Sequence, residues 1–157
     1  GTWLYAAGSA HNDANHISGP SRTGEGSYRV LRDILRSGVA PEEVAFVNAH
    51  GTATAYNDEM ESIAIERAGL DTVPVNGLKG IFGHTLGAAG VIETILSMHA
   101  ADRGLVLPTV GFSEQGTSRR LDISAQPRRT ERRCFIKILS GFGGSNAGIA
   151  YRKGGAQ

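Results

Sequence analysis

The chain is 157 residues long, 40% apolar and 20% charged, with 22 glycines and a formal net charge of +1. That length holds one ordinary domain with a sizeable core and calls for no second one; the charge says little about partners, and the glycines imply many turns. The single cysteine, Cys134, excludes an internal disulfide and fits a reducing compartment. No apolar run is long enough to cross a bilayer uninterrupted, and no charged leader precedes a hydrophobic block, so the expectation is a cytoplasmic protein with no membrane partner.

From the N-terminus, Trp3 to Ser9 reads as a short strand, followed by the polar, turn-rich loop HNDANHISGPSRTGEG with His11 and His16. Gly26 to Ser37 places Val30, Leu31, Ile34 and Leu35 on one helical stripe with Arg29, Arg32, Asp33 and Arg36 outside, and Gly38 and Pro41 mark its stop. Val44 to Val47 is a short apolar strand running into NAHGTAT, which sets His50, Thr52 and Thr54 in a strand-to-helix loop. The next helix opens near Asp58, with Glu61 as its capping-box partner, buries Met60, Ile63, Ala64 and Ala68, and ends at Gly69. A brief strand spans Val73 to Val75.

The stretch LKGIFGHTLGAAGVIETILSMHAA, from Leu78 to Ala101, is the centre of the reading. A glycine-punctuated loop carries Lys79 and His84 into a helix from about Leu86 whose residues leave no continuous polar face, the pattern of a helix buried on all sides. The positive end of such a helix favours an uncharged imidazole at His84, which can donate a hydrogen bond to a polarised oxygen. That helix ends near Asp102 to Gly104; a loop-rich stretch follows until Arg132 to Leu139, read as a strand. SGFGGSNA turns the chain into a second strand, Ala147 to Tyr151, and RKGGAQ reads as a frayed tail. The order βαβαβαββ predicts an α/β fold, helices packed on a mixed sheet, over residues 1–157 as one domain.

Neither KGIFGHTLG nor SGFGGSNA supplies the lysine-hydroxyl ending of a phosphate-binding P-loop, and GFGG leads into a strand rather than a helix, so neither nucleotide motif applies. His50, Asp58 and His84 have metal-ligand chemistry, but Lys79 would put an ammonium beside the cation, so no metal is expected. Arg119, Arg120, Arg128, Arg129, Arg132, Arg133 and Lys137 crowd the last third with Phe135 as the only aromatic among them. This reads as a solvated rim or a steering patch for an acidic partner protein rather than a nucleic-acid face.

NAHGTATAYNDEMES, LKGIFGHTLGAAGVIE and SGFGGSNA together resemble three signature loops of the C-terminal half of β-ketoacyl synthases, and DANHIS from Asp13 to Ser18 resembles a segment that precedes them. The resemblance covers almost the whole chain. It implies the second half of a thiolase-like fold, in which two α/β halves pack around central helices, so a partner half should cover the helix from Leu86.

The resemblance further implies a decarboxylative Claisen condensation of a malonyl thioester with an acyl-enzyme, in fatty-acid or polyketide synthesis. By it, His50 and His84 donate hydrogen bonds to the malonyl thioester oxygen, and the pair matches the elongating Cys-His-His branch. Lys79 orients the site, paired with Glu93; Phe142 gates the acyl pocket and its N–H joins the oxyanion hole; Thr52 and Thr54 hold the pantetheine arm; His16 lines the pocket. No cofactor is held covalently, phosphopantetheine being supplied by the acyl carrier protein, and the complete protein would be a homodimer.

Three departures stand out. No segment resembles the one carrying the family's nucleophilic cysteine, and Cys134, inside a strand, is no substitute, so the chain alone is expected to be inactive. Ser140 stands where a second aromatic is usual, and Gly80 follows the lysine where a hydroxyl residue is common, which should loosen the lysine's bonding. A non-catalytic chain-length-factor-like subunit and, more remotely, a metal-dependent hydrolase are the alternative readings.

Overall fold

A computed structural model describes residues 2–155. In chain order the elements are β1 (Trp3–Asn12), α1 (Glu25–Arg36), β2 (Val44–Asn48), α2 (Ala55–Arg67), β3 (Pro74–Asn76), α3 (Lys79–Phe82), α4 (Ala89–Asp102), β4 (Leu105–Val106), β5 (Asp122–Ile123), β6 (Arg128–Arg129), β7 (Cys134–Gly141) and β8 (Ser145–Lys153). Six strands form one mixed sheet in the order β1-β8-β7-β2-β3-β5. The strands from β7 to β5 run parallel, and β8 is antiparallel to both β7 and β1.

Each face of the sheet is covered differently. The stripe Val30, Leu31 and Ile34 of α1, with Ile65 of α2, packs on Val47, Ile136, Ile138 and Ala150. On the other face Phe46 and Phe135 stack at 5.3 Å, Trp3 meets Phe135 edge-on, and Met98 and Ala101 of α4 close over them. The alternation of β7 therefore sends Ile136 and Ile138 one way, and Phe135 and Lys137 the other. All five residues of β2 are buried, as a central strand requires.

The predicted α/β order holds, with corrections of physical origin. β1 runs past Ser9 to Asn12 because its ladder with β8 continues through His11 and Asn146, so His11 is a strand residue bonded to Asp33 at 2.6 Å. Three short strands, β4, β5 and β6, lie in sequence read as loop; each has two residues, too few for a periodic signal. The supposed frayed tail is tied down: Arg152 pairs with Glu43, and Lys153 with Asp102. Residues 156 and 157 lie outside the described residues. Cys134 is buried in β7, and burial pushes its thiol up to about 12, which suits an inert core residue.

The largest correction concerns α4. It starts at Ala89, after a 3-10 turn at Leu86–Ala88, and is not buried all round. Its inward stripe is Ala89, Glu93, Ser97 and Ala100, whereas Val91 is 65% and Ile95 49% exposed, and Leu86 before it is 81% exposed. Two polar residues, Glu93 and Ser97, thus face in while large apolar ones stand in solvent, unlike an ordinary surface helix. Among the described residues no helix is long and apolar enough to cross a membrane.

Gly148 of β8 permits the close seating of α1: a Cβ there would lie 2.6 Å from Val30 Cγ1 and 3.1 Å from Ile34 Cδ1. Gly148→Ala should lower stability by about 1–3 kcal/mol in urea unfolding. Gly116→Ala, with nothing within 4 Å of its Cβ, should stay within about 0.5 kcal/mol of the parent.

Candidate active site

Because β2, β3 and β7 are parallel neighbours, the loops leaving their C-terminal ends meet at one edge of the sheet, the usual place for a site in an open α/β sheet. β2 leads to His50, β3 to Lys79 and β7 to Phe142. The first two loops touch: a Cβ on Gly51 would lie 3.3 Å from Gly77 Cα. Asn48 and Asn76 fasten the strand ends, the Asn48 amide donating to Asn76 Oδ1 at 2.7 Å and Ala49 N–H to Asn76 O at 2.9 Å.

The main chain around His50 is gripped by three buried charged side chains, two of them joined by a fourth. Glu61 Oε1 accepts the His50 N–H at 2.6 Å, and Glu61 Oε2 accepts the Gly51 N–H at 2.8 Å and the Asn57 amide at 2.7 Å. Lys79 Nζ donates to the His50 carbonyl, and Lys137 Nζ to the Ala49 carbonyl at 2.9 Å. Glu93 joins the lysines: Oε1 accepts from Lys79 at 2.8 Å and Oε2 from Lys137. The side chains of Lys79, Glu93 and Lys137 are 6%, 3% and 1% exposed, so desolvated charges compensate one another here.

Glu61 and Lys137 correct two sequence readings. α2 begins one turn before Asp58, at Ala55, so Glu61 caps nothing and points inward to the His50 loop. Burial raises its carboxyl above the ordinary range, against N–H donors that favour the charge. Lys137 belongs to the core, not to the arginine-rich rim; burial lowers its ammonium to about 8 in spite of Glu93. The available signal was its place in the apolar run CFIKIL, where strand alternation turns it inward with Phe135.

His50 is 5% exposed, its Nδ1 has no partner, and its ring centroid lies 5.0 Å from that of His84, at 80°. Burial, then the charges of Lys79 and Lys137 and finally His84, hold its pKa down at about 3, so the ring is uncharged near neutrality. His84 is exposed on the open side of the pair. It does not open α4, as the sequence suggested; Thr85 and Leu86 follow it at φ 52° and 48°, left-handed values for non-glycine residues. Such backbone costs roughly 1–3 kcal/mol per residue and is found where a functional side chain must be aimed.

The remaining candidates lie around this pair. The Thr52 and Thr54 hydroxyls bond each other at 2.9 Å, bracketing Ala53 at φ 58°. Phe142 is 87% exposed on its turn, which the DANHIS loop grips: Asn12 donates to Gly143 O at 2.7 Å, Asp13 N–H to Gly144 O at 2.8 Å, and Gly143 N–H to Ile17 O at 2.6 Å. His16, in that loop, is exposed, and its Nδ1 accepts the Ser18 N–H at 3.2 Å.

Ser140 and Gly80 have local reasons. Ser140 and Ser27 both donate to Asn146 Oδ1, at 2.9 and 2.8 Å, a polar network to which an aromatic side chain at 140 could not contribute. A Cβ on Gly80 would lie 2.6 Å from the Val110 carbonyl oxygen, so a hydroxyl side chain would displace backbone. Lys79 is not loosened by it. Among the described residues no three His, Cys, Asp or Glu side chains converge as metal ligands, so the His50, Asp58 and His84 set is not assembled.

An open, mainly apolar cleft of about 390 Å³ lies between α4 and the β7–β8 hairpin, lined by Val91, Ile95, Met98, Leu139, Ile149 and Tyr151, with Lys137 also in its wall.

The fold is the thiolase-like α/β arrangement of ketosynthases: over 96% of the chain it superposes, with a TM-score of 0.88 and 30% identity, on 38% of a chain in the solved ishigamide ketosynthase/chain length factor. The beta-ketoacyl synthase C-terminal domain model matches residues 3–113, and the chain belongs to that family. The match takes in His16, His50, Thr52, Thr54, Lys79, His84 and Glu93 and stops before Lys137 and Phe142. A 3-oxoacyl-[acyl-carrier-protein] synthase 2 of Rhizobium meliloti is 35% identical over 146 residues, covering 90% of this chain and 34% of its own. A mitochondrial 3-oxoacyl-[acyl-carrier-protein] synthase of Arabidopsis thaliana is 33% identical over 149 residues, covering 88% and 32%. The chain thus spans about a third of the length of these relatives.

An unfolded histidine protonates near pH 6.5, whereas His50 in place does so only near 3. The unfolded state therefore binds more protons between those values, and stability is lost as pH falls from 6.5, by up to about 1.4 kcal/mol per unit. Urea unfolding at pH 7, 6 and 5 should show this decline, and His50→Gln should flatten it.

Proposed function

We propose that the chain forms the C-terminal half of the active site of an elongating 3-oxoacyl-[acyl-carrier-protein] synthase. The carrying observation is the pair of imidazoles with ring centroids 5.0 Å apart, one of them buried and uncharged, above the Lys79–Glu93 ion pair.

In this reading the malonyl thioester oxygen sits where an N–H of each ring reaches it. The bond from the malonyl methylene carbon to its carboxylate breaks, CO₂ leaves, and the electron pair passes into an enolate whose oxygen takes both hydrogen bonds. The enolate carbon then attacks the acyl carbonyl of a cysteine thioester, the new carbon–carbon bond forms, and the thiolate departs. That cysteine belongs to the other half of the synthase.

Lys79, tied to the His50 carbonyl and Glu93, acts by orientation and charge. Thr52 and Thr54 hold the pantetheine arm delivered by the acyl carrier protein, so no cofactor is bound covalently. Phe142, exposed on its glycine turn, gates the acyl pocket, and its N–H contributes to the oxyanion hole. His16 lines the mouth of the pocket. The other half covers Leu86, Val91 and Ile95, drying the site so that the donors act at full strength; the completed enzyme is a homodimer.

A chain-length-factor-like role is the second reading, favoured by Ser140 in place of an aromatic and by the kind of assembly named in the structural match. Retention of both histidines, Lys79 and Glu93 supports catalysis over it.

The test is CO₂ release from malonyl-acyl carrier protein by this chain completed with the cysteine-bearing half. Decarboxylation is expected, and His50→Ala or His84→Ala should each lower it by about 10²–10³-fold. No release from the unaltered assembly would favour the non-catalytic role, and full release by either variant would remove that histidine from the mechanism.

A further inference from the structure

Lys137 lies outside the matched domain residues and outside the roles just assigned, yet it is the least exposed charged group at the site. It reaches across from β7 to hold two things at once: the Ala49 carbonyl, one residue before His50, at 2.9 Å, and the Glu93 oxygen that Lys79 does not use. Resting on the functional reading above, we propose that Lys137 is a positioning residue for His50, fixing the approach of its loop through Ala49 and completing a buried lysine-carboxylate-lysine bridge with one net positive charge beneath the imidazole pair.

The geometry separates its work from that of Lys79. Lys79 holds the carbonyl of His50 itself, Lys137 the carbonyl before it, and Glu61 the N–H groups of His50 and Gly51, so each of the two peptide groups flanking His50 has its carbonyl on a different lysine and its N–H on Glu61. Without Lys137, Glu93 would keep one unpaired oxygen in a dry interior and could draw Lys79 toward it, off the His50 carbonyl.

The charged and titratable groups surrounding His50 are Lys79 on α3, Lys137 on β7, Glu93 on α4 through the two lysines, Glu61 on α2, and His84. The two ammonium groups oppose protonation of the ring, and Glu93 offsets only one of them. Lys137 is therefore, after Lys79, the second cation that disfavours the imidazolium. Its removal should make His50 easier to protonate, and the protonated ring repels the adjacent Lys79 while adding a charge to a site built for neutral donors.

The experiment uses the complete synthase carrying Lys137→Met, a neutral chain of similar length, and Lys137→Gln, which keeps a donor for the Ala49 carbonyl without the charge. For malonyl decarboxylation, K137M should lower kcat roughly 10- to 100-fold at little-changed KM, the signature of misplacement rather than lost binding. The acidic limb of its pH profile should move up by about one unit. K137Q should recover part of kcat while keeping the displaced limb. The His50 ring titration, followed by NMR, should move up by a similar amount in both variants, a readout that needs no turnover.

Unchanged kcat, or a loss of kcat with the acidic limb and the ring titration both unmoved, would overturn the proposal. Should K137M fail to fold, K137Q carries the same test, and in the unaltered protein a His50 ring titrating near 6.5 would overturn it as well. The functional reading fails separately, through full activity of His50→Ala, and that result would leave the NMR shift interpretable.

Discussion

Glu93 is the carboxylate on which the site depends, because it is buried on the inward side of α4 and must be compensated inside the protein. Removing an ion from water costs several kcal/mol, and attraction to a partner repays this only when the remaining polar valences are also met. Here the two oxygens of Glu93 take one lysine each, and each lysine uses a further N–H on a main-chain carbonyl of the same loop. The compensation of a buried charge and the placement of His50 are thus one arrangement. A hydrophobic replacement could rival it in stability; it could not hold consecutive carbonyls at fixed positions.

The sheet makes that convergence possible. Three parallel strands, β3, β2 and β7, deliver their C-terminal loops side by side, while α4 crosses the same face and brings Glu93 beneath them. Parallel pairing also explains why main-chain groups need side-chain partners there: past Asn48 the ladder ends, and the N–H and C=O groups of residues 49–51 would otherwise be buried without hydrogen bonds. Asn76, Glu61, Lys79 and Lys137 supply them. The His50 side chain is the part left without such support: its Nδ1 is unpartnered and its ring faces His84 across 5.0 Å.

How much was legible in the chain follows from the range over which each signal acts. α1 and β2 are carried by local periodicity and glycine stops, and their residues were readable directly. The βα loops carrying His50 and Lys79 were legible as loops, and the resemblance of three such segments to one family identified which side chains to expect together. Lys137 was not, because its partner Glu93 lies 44 residues away, and the apolar run around it shows only that it turns inward, not what it holds. Glu61 was misassigned for a related reason: Asp58 and Glu61 satisfy the spacing of a capping box, yet the preceding Thr54 already begins the helix and frees Glu61 to turn inward. Gly80 and Ser140 looked like weaknesses and are explained only by the Val110 carbonyl and by Asn146, neither of which a local pattern contains.

The exposed face of α4 bears on the electrostatics as well as on assembly. With Val91, Ile95 and Leu86 bare, His84 stands at the edge of water, and its ring has a different dielectric surrounding from that of His50, although the two are in contact. A donor works best on a developing anion when water is excluded, since screening weakens a hydrogen bond to charge as much as it weakens repulsion. The chain has already buried the half of the pair that its own lysines can keep uncharged. The other half is followed by the exposed Leu86 and by α4 with Val91 and Ile95 bare, so an apolar cover laid over them would also desolvate His84. In the proposed function, the division of the site between two halves is therefore also a division of labour in solvation: ion pairs are completed within this chain, and dryness would be imposed from outside it.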